Sequence, residues 1–469
     1  MFTTTIAAIS TPLGPGGIGV VRISGPLAYT IMKRLFVWKN RRRTRTGRSF
    51  EEDRFTSHFV YYGHLVEPGN ENIIDEVLAI YMKGPKSFTR EDIVEFHSHS
   101  GFVVLDRILH AVVDAGADLS GPGEFSKRAF LNGRIDLTQA EAVIDLINAP
   151  CETAVQMASR QVSGGLRDVV EGLTTTIVKL RATCEADLEF YESVDDDDAH
   201  LTVQNTLRNF VLPEVKELIQ RQKDTAVFKD GVLLAIAGAP NVGKSSLLNR
   251  LVEREAAIVS EVPGTTRDVV RDYFSINGVP VIICDTAGIH DTQDPVECLG
   301  IKKARDHFNQ AEIVLMVLEA ARKLNRFEKK LIEELKQTRM IAVINKTDIA
   351  DKEALVDTQQ KTKDMPHVMV SAKTGAGLAA LKELIFHDLV SGEKVCNHQG
   401  ATPNLRQRTV LDEIMRELQR CLVAAETEQP LEVISGLLKD ILHLLDDISG
   451  NRNKEDLYDH IFSQFCIGK

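Results

Sequence analysis

No apolar run in the sequence reaches the ~20 residues that a membrane-spanning helix needs, so no transmembrane helix is expected. The opening MFTTTIAAIS has no basic stretch leading into a signal-peptide core. Together these absences point to a cytoplasmic chain. The seven cysteines are odd in number and scattered, and no C-x-x-C spacing occurs. That usage argues for a reducing compartment and against a zinc site. Excess positive charge is missing too, since the formal net charge is −11. There is no overall electrostatic pull toward RNA, so a nucleic-acid role needs a local patch or a partner. No internal repeat is evident. What is present is length for two or three domains, at 469 residues, with 43% hydrophobic residues to fill their cores.

The most informative stretch is GAPNVGKS at 238–245. It fits the phosphate-loop pattern G-x-x-x-x-G-K-[ST] in full. Gly238 and Gly243 let the backbone turn its N–H groups toward phosphate oxygens. Lys244 can reach the β- and γ-phosphates, and the Ser245 hydroxyl can ligate Mg²⁺. The context agrees: 231–237 reads as a short apolar strand, and 245–252 opens a helix whose N-terminus favours anions. Three further elements follow in the order a GTPase needs. IICDTAG (282–288) is an apolar strand ending in Asp285, Thr286, Ala287 and Gly288; the carboxylate suits the Mg²⁺ shell and the glycine N–H the γ-phosphate. VINKTD (343–348) ends in Asn345, Lys346 and Asp348. A carboxylate there accepts from the N1–H and exocyclic amine of guanine, whereas adenine offers an acceptor at N1. Ser371, Ala372 and Lys373 follow the strand-like 367–370 as a second loop on the base side. Thr265 and Thr266 lie between the phosphate loop and DTAG, and one of their hydroxyls can close on Mg²⁺ when the γ-phosphate is present.

A glutamine just after DTAG is also lacking. In the Ras-type mechanism that residue orients the attacking water. Here the position is Ile289, which neither donates nor accepts. Glu297, a short loop downstream, is either the replacement or a solvated loop acid. Arg267 is either an arginine finger or the local partner of its neighbour Asp268.

Pattern and composition divide the chain. Residues 1–120 predict a mixed α+β domain, with strand-like runs and a helical spacing at 102–116. Residues 121–225 predict a first helical part, broken by the acidic run 195–198, which reads as a solvated turn. Residues 226–390 predict the GTPase domain, a doubly wound and mostly parallel sheet closing on a helix at 378–390. Residues 391–469 predict a second helical part, with helices at 409–425 and 431–449. The economical arrangement is a P-loop GTPase domain inserted into one discontinuous helical domain. Arg41, Arg42, Arg43, Arg45 and Arg48 form a basic insertion, best read as a solvated loop. His97 and His99 lack a third metal ligand in view.

These motifs and their flanks resemble the tRNA-modification GTPases of the MnmE (TrmE) family. TPLGPGGIGVVRISG, SFTREDIVEFHSHSG, GPGEFSKRAFLNGRIDLTQAEAVIDLI, EREAAIVSEVPGTTRDV and the closing FCIGK carry the resemblance over nearly the whole chain. It implies a GTP site of Asn241, Val242, Gly243, Lys244, Ser245, Ser246, Ser260, Glu261, Val262, Pro263, Gly264, Thr265, Thr266 and the DTAG, NKTD and Ser371–Lys373 residues above. Mg²⁺ would fall on Ser245 and Thr266. K⁺, an activating ion in the family, would fall on Asn241, Ser260, Val262 and Thr265. The family's catalytic acid lands on Glu297. The N-terminal domain would form a homodimer and bind 5-formyltetrahydrofolate or a related folate through Arg22, Glu95, Arg134 and Lys469. The implied partners are an FAD-containing MnmG-type protein, in a heterotetramer or larger complex, and tRNA. The implied reaction places an aminomethyl or carboxymethylaminomethyl group on C5 of the wobble uridine.

The chain departs from that pattern in places. The arginine-rich insertion is outside it, EFHSHSG has serines where glycines are commoner, and Ser260 replaces a frequent threonine. Arg134 stands where lysine also occurs, which keeps charge but not geometry. Cys466 is either a chemical thiol or a small buried residue. A ribosome-assembly or signalling GTPase, in which GTP is only a switch, is the competing reading. A GTP-binding scaffold without turnover is a third.

Overall fold

A computed structural model describes residues 2–38, 55–69, 72–189, 199–252, 271–276, 278–284, 308, 311–335, 338–351, 362, 365–390, 400–452 and 455–469. The basic insertion, the acidic run 195–198, residues 260–268, Asp285–Gly288, Ile289 and Glu297 lie outside the described residues. The chain divides into two compact units, Met1–Ile144 with Gln161–Ala199 and Glu428–Lys469, and Asp145–Arg160 with His200–Thr427.

The first unit is built on a seven-stranded sheet in the order β3-β4-β5-β6-β2-β1-β7. Its strands are β1 Ile6–Ile9, β2 Gly16–Ser24, β3 Phe36–Trp38, β4 Phe59–Val66, β5 Ile73–Met82, β6 Ile93–Ser100 and β7 Asp118–Leu119. All pairs are antiparallel except β1 with β7. The two-residue alternation of strands sends Val21, Ile23, Val77, Ala79, Val94 and Phe96 to one face. The helices Ala28–Leu35 and Phe102–Asp114 supply Ile31, Met32, Leu105, Ile108 and Val112 to the same core, at the spacing that lines one side of a helix. Further on in this unit, helix Leu431–Ser449 lies along Gly165–Glu189, where Ser435 hydrogen-bonds Glu185 at 3.4 Å. Helices Leu137–Ile147 and Glu455–Ser463 share a small core of Leu137, Ala140, Tyr458, Phe462 and Phe465.

The second unit holds a six-stranded sheet in the order β13-β12-β11-β8-β10-β9. These are β8 Val232–Ala237, β9 Arg271–Ile276, β10 Val279–Cys284, β11 Ile313–Glu319, β12 Met340–Asn345 and β13 His367–Met369. Among the described strands only the edge strand β9 runs antiparallel. The inner strands β8, β10, β11 and β12 read as nearly unbroken apolar runs because both faces are covered. Ile313, Leu315 and Val317 enter one core, while Val314, Met316 and Leu318 enter the other. Helices Lys244–Val252, Arg326–Glu334 and Leu378–Val390 belong to this sheet. Helix Leu212–Asp230 packs against Leu405–Glu426, whose start is fixed by a capping box between Asn404 and Gln407.

Candidate functional site

Strand β8 delivers the chain into the 238–243 loop, and the helix opens at Lys244. The loop has a conformation that needs glycine at two of its positions. Gly238 has φ +148° and Gly243 has φ +96°. A Cβ on Gly238 would collide with the Val317 carbonyl, and one on Gly243 with Asn345 Nδ2. Asn241 also sits in the left-handed region, at φ +61°, and is exposed. Lys244 Nζ donates to the carbonyls of Gly238 and Ala239, each at 2.9 Å. Burial holds its ammonium below the ordinary lysine pKa. Val242 is buried, whereas Ser245 and Ser246 are exposed at the mouth of the helix. The tight glycine cradle and the open Ser245 hydroxyl fit a Mg²⁺–nucleotide.

The base-side residues are brought to the same loop. Asn345 Nδ2 donates to the Val242 carbonyl at 2.8 Å, and Asn345 Oδ1 accepts from the Ala372 amide at 3.0 Å. One side chain thus ties the phosphate loop, the NKTD turn and the 371–373 loop together. Ser371 Oγ donates to Asp348 Oδ1 at 2.6 Å and accepts from the Thr374 amide at 3.2 Å. That hydroxyl holds the exposed Asp348 carboxyl below its ordinary pKa. Arg250 from the phosphate-loop helix donates to the carbonyls of Ala372 and Lys373, at 3.2 and 3.0 Å.

Sequence reasoning missed the group that fixes Lys346. Its backbone is left-handed, at φ +65°, and its Nζ reaches Glu319 Oε1 at 2.9 Å. Glu319 ends β11 directly opposite Asn345 in the register. Arg322 binds Glu319 at 3.1 Å and the fully buried Glu328 at 2.6 Å. Burial pushes the Glu319 carboxyl up, but Lys346 and Arg322 more than offset this, so it titrates below its ordinary value.

A second charged site lies on the sheet face of the first unit opposite the helices Ala28–Leu35 and Phe102–Asp114. Arg22 and Glu95 are opposite each other in the β2–β6 register and pair at 2.8 Å. His97 Nε2 meets the other Glu95 oxygen at 3.2 Å. That hydrogen bond, against burial and with Arg22, lowers the Glu95 pKa. The Arg22 guanidinium stands 5.8 Å from the Phe125 ring centre. The Phe125 amide in turn donates to the Lys469 carbonyl at 3.1 Å. Residues 465–469 are fastened here by a Pro122–Ile467 bridge and by Ser10 Oγ donating to the Gly468 carbonyl at 3.1 Å.

The structure therefore places Arg22 beside Glu95 and brings Lys469 near them through Phe125. Arg134 stands elsewhere, in a cleft of 620 Å³ that it lines with Met82, Lys86, Ser87 and Arg90. His99 pairs with Asp75 at 2.9 Å, not with His97. Among the described residues no group of three or more His, Cys, Asp or Glu is arranged to hold a metal. The buried reading of Cys466 is corrected, because its side chain is exposed and the neighbouring Phe465 takes the core position. Arg128 was also missed. It is 1% exposed and held by Glu124 at 2.9 Å, one helical turn earlier, and by Glu91 at 3.3 Å, a partner that no local spacing reveals.

A doubly wound sheet with a glycine phosphate loop before a helix, and an Asn-Lys-Thr-Asp turn tied to it by Asn345, defines a P-loop GTPase. Two family models match the chain: GTP-binding protein TrmE N-terminus over residues 5–134 and MnmE helical domain over 137–466. The chain belongs to the MnmE family of tRNA modification GTPases and is a GTP-hydrolysing enzyme. Its N-terminal domain is followed by a helical domain that carries the GTPase sheet within it. The tRNA modification GTPase MnmE of Carboxydothermus hydrogenoformans is 37% identical over 474 residues, covering 100% of both chains. That of Desulfotalea psychrophila is 39% identical, covering 99% of this chain and 98% of its own. A solved structure, the G domain of the T. maritima FeoB iron transporter, is 30% identical over 34% of this chain and 98% of its own, at a TM-score of 0.27. No helix among the described residues is long and apolar enough to cross a membrane.

Proposed function

We propose that this chain hydrolyses GTP to drive the addition of an aminomethyl or carboxymethylaminomethyl group to C5 of the wobble uridine of certain tRNAs. It does so with an FAD-containing partner of the MnmG type and a folate one-carbon donor. The observation that carries the reading is the presence, in one chain, of a guanine-nucleotide cradle and an Arg22–Glu95 face closed by residues 465–469. In the cradle, Lys244 would leave the Gly238 and Ala239 carbonyls for the β- and γ-phosphates. Asp348 would accept both N–H groups of the guanine edge. Ser245 would hold Mg²⁺, which supplies charge compensation at the phosphates. Thr266 with Mg²⁺, Ser260, Val262 and Thr265 with Asn241 on K⁺, and Glu297 as the acid near the water complete the assignment.

On the other unit, Arg22, Glu95, Arg134 and Lys469 would hold the folate. Pairing of two copies is supported by the same sheet face, where Val60, Tyr62 and Leu78 are 50%, 44% and 40% exposed in adjoining positions of β4 and β5. The proposal places the enzyme in the cytoplasm, where tRNA and reduced folates occur together. Mass spectrometry of wobble uridines from cells lacking the protein tests the reading. The C5 groups should disappear, return with the wild-type chain and stay absent with Lys244→Ala. Unchanged uridines would return the competing switch reading to the front.

A further inference from the structure

We propose that the cleft beside Arg134 receives the γ-linked polyglutamate tail of the folate donor, so that the enzyme selects long-tailed folates. The inference rests on the folate reading above, in which Arg134 is a folate contact, and extends it to the added glutamyl units and to Lys86 and Arg90, which that reading leaves unused. Each added glutamyl unit brings one more carboxylate, so a long tail is a flexible polyanion. The cleft offers matching charge. Lys86, Arg90 and Arg134 line it, and among the described residues no carboxylate does. Among the described residues neither Lys86 nor Arg134 makes an ion pair, and both are exposed. Their charge is available to a ligand.

Position agrees with charge. Met82 lines the cleft and is paired with Ile93. Residues opposite or two apart in a sheet share a face, so Met82, Ile93, Glu95 and Arg22 lie on one side. Glu95 is two residues, about 7 Å, along β6 from Ile93. A folate whose ring sits at Arg22 and Glu95 can therefore run its tail past Met82 toward the cations. The volume, 620 Å³, is in the range of a small-molecule site.

The cations also stand on a built wall. The Gly84 amide donates to Asp92 Oδ1 at 2.9 Å, and Asn132 Nδ2 donates to the Thr89 carbonyl at 2.7 Å. Arg90 keeps a left-handed backbone at φ +59°, and its Nη1 donates to the Asn132 carbonyl at 2.9 Å. The segment carrying Lys86 and Arg90 is thus tied to the turn carrying Arg134. Such pre-positioned charge costs less ordering when the ligand arrives.

Calorimetry on the full chain, with 5-formyltetrahydrofolate carrying one or five glutamyl units, tests the proposal. The wild type should bind the pentaglutamate about tenfold tighter at low salt, the sum of a few exposed ion pairs. The gap should narrow as salt rises. Lys86→Glu, at an exposed position that leaves the Arg90–Asn132 tie intact, should remove most of the gap. The monoglutamate should lose less than about twofold, because its short tail reaches fewer of the charges. Equal wild-type affinities for the two forms, or equal losses in the variant, would overturn the tail assignment while leaving the folate site standing. No binding of either form would overturn the folate reading, and the tail with it.

Discussion

Asp348 shows how much a single hydroxyl can set. Ser371 Oγ donates to its Oδ1, leaving the other oxygen to meet the guanine edge. Asp348→Asn keeps an oxygen for Ser371 but turns an acceptor into a donor. GTP affinity should fall about 10²-fold or more, and xanthosine triphosphate, with a carbonyl in place of the amine, should gain. Competition against a fluorescent guanine nucleotide reads both. If ATP competes as well as GTP in the wild type, Asp348 does not read the base. Lys244 carries a second prediction. Burial lowers its pKa in the free protein, and bound phosphates favour the charged form. The free ammonium therefore loses its proton as pH rises through that lowered value, while the liganded one keeps it. Nucleotide binding in alkaline buffer should take up protons, and affinity should fall as pH rises. Titration calorimetry in buffers of differing ionisation enthalpy measures the uptake; none in wild type, or an unchanged uptake in Lys244→Ala, contradicts the assignment. These residues were legible in the sequence because a phosphate loop and an NKTD turn keep their chemistry within a few positions. Glu319 was not, because it lies 27 residues from the Lys346 it holds and only the β11–β12 register joins them.

Elements were readable where their period was long or their apolar run was sharply bounded. Leu431–Ser449 and Leu378–Val390 match the expected 431–449 and 378–390, and Ile73–Met82 is the whole of one strand-like run. The helix Ala28–Leu35 and the three-residue strand after it were not read, since IMKRLFVW is too short and too apolar to show a period. The helical text at 153–191 reads as one string, yet the described part divides into Glu152–Val162 and Gly165–Glu189. Gly164 takes φ +101° at the break, a left-handed turn that costs glycine little. The 465–469 segment depends on the same freedom. Gly468 has φ +90°, and a Cβ there would collide with the Ile9 carbonyl. Phe465 meanwhile stacks 5.2 Å from Phe462 in the small core with Leu137. Removing residues 465–469 should cost this unit about 3–5 kcal/mol, the scale of emptying a buried phenylalanine site. It should also abolish folate binding and tRNA modification, because Phe125 and Arg22 lose their backing. GTP turnover should stay within about twofold, since the phosphate loop belongs to the other compact unit. Modification that persists in the truncated chain would show that the segment has no part in it.

Across the whole molecule, charge and chemistry are divided rather than shared. The chain carries −11 overall, so its cationic groups act locally, at the phosphate loop and in the Arg134 cleft. On the proposed reading, a partner would supply much of the tRNA grip. GTP turnover needs positive charge against the negative charge that builds between the β- and γ-phosphates. An arginine finger supplies roughly 10³–10⁵ in rate. Arg267 adjoins Asp268, a partner that would keep it from that role, and Ile289 cannot orient water. A monovalent cation held by neutral oxygens would fill the same place. Asn241 is exposed in the phosphate loop with its backbone turned left-handed, and its side-chain oxygen is the neutral ligand the loop would offer. K⁺ fits several neutral oxygens at once, whereas Na⁺ is too small to touch them all without distortion. Hydrolysis should therefore run at least about tenfold faster in K⁺ than in Na⁺ at matched ionic strength, a part of what a finger would give. GDP with aluminium fluoride should pair the GTPase domains of the full chain in K⁺ and not in Na⁺, as light scattering would register. Asn241→Ala should abolish both effects while leaving GDP affinity nearly unchanged, and wobble-uridine modification should fall with the lost turnover. Equal rates in the two salts would remove the cation from the mechanism and bring Arg267 forward as the source of the missing charge.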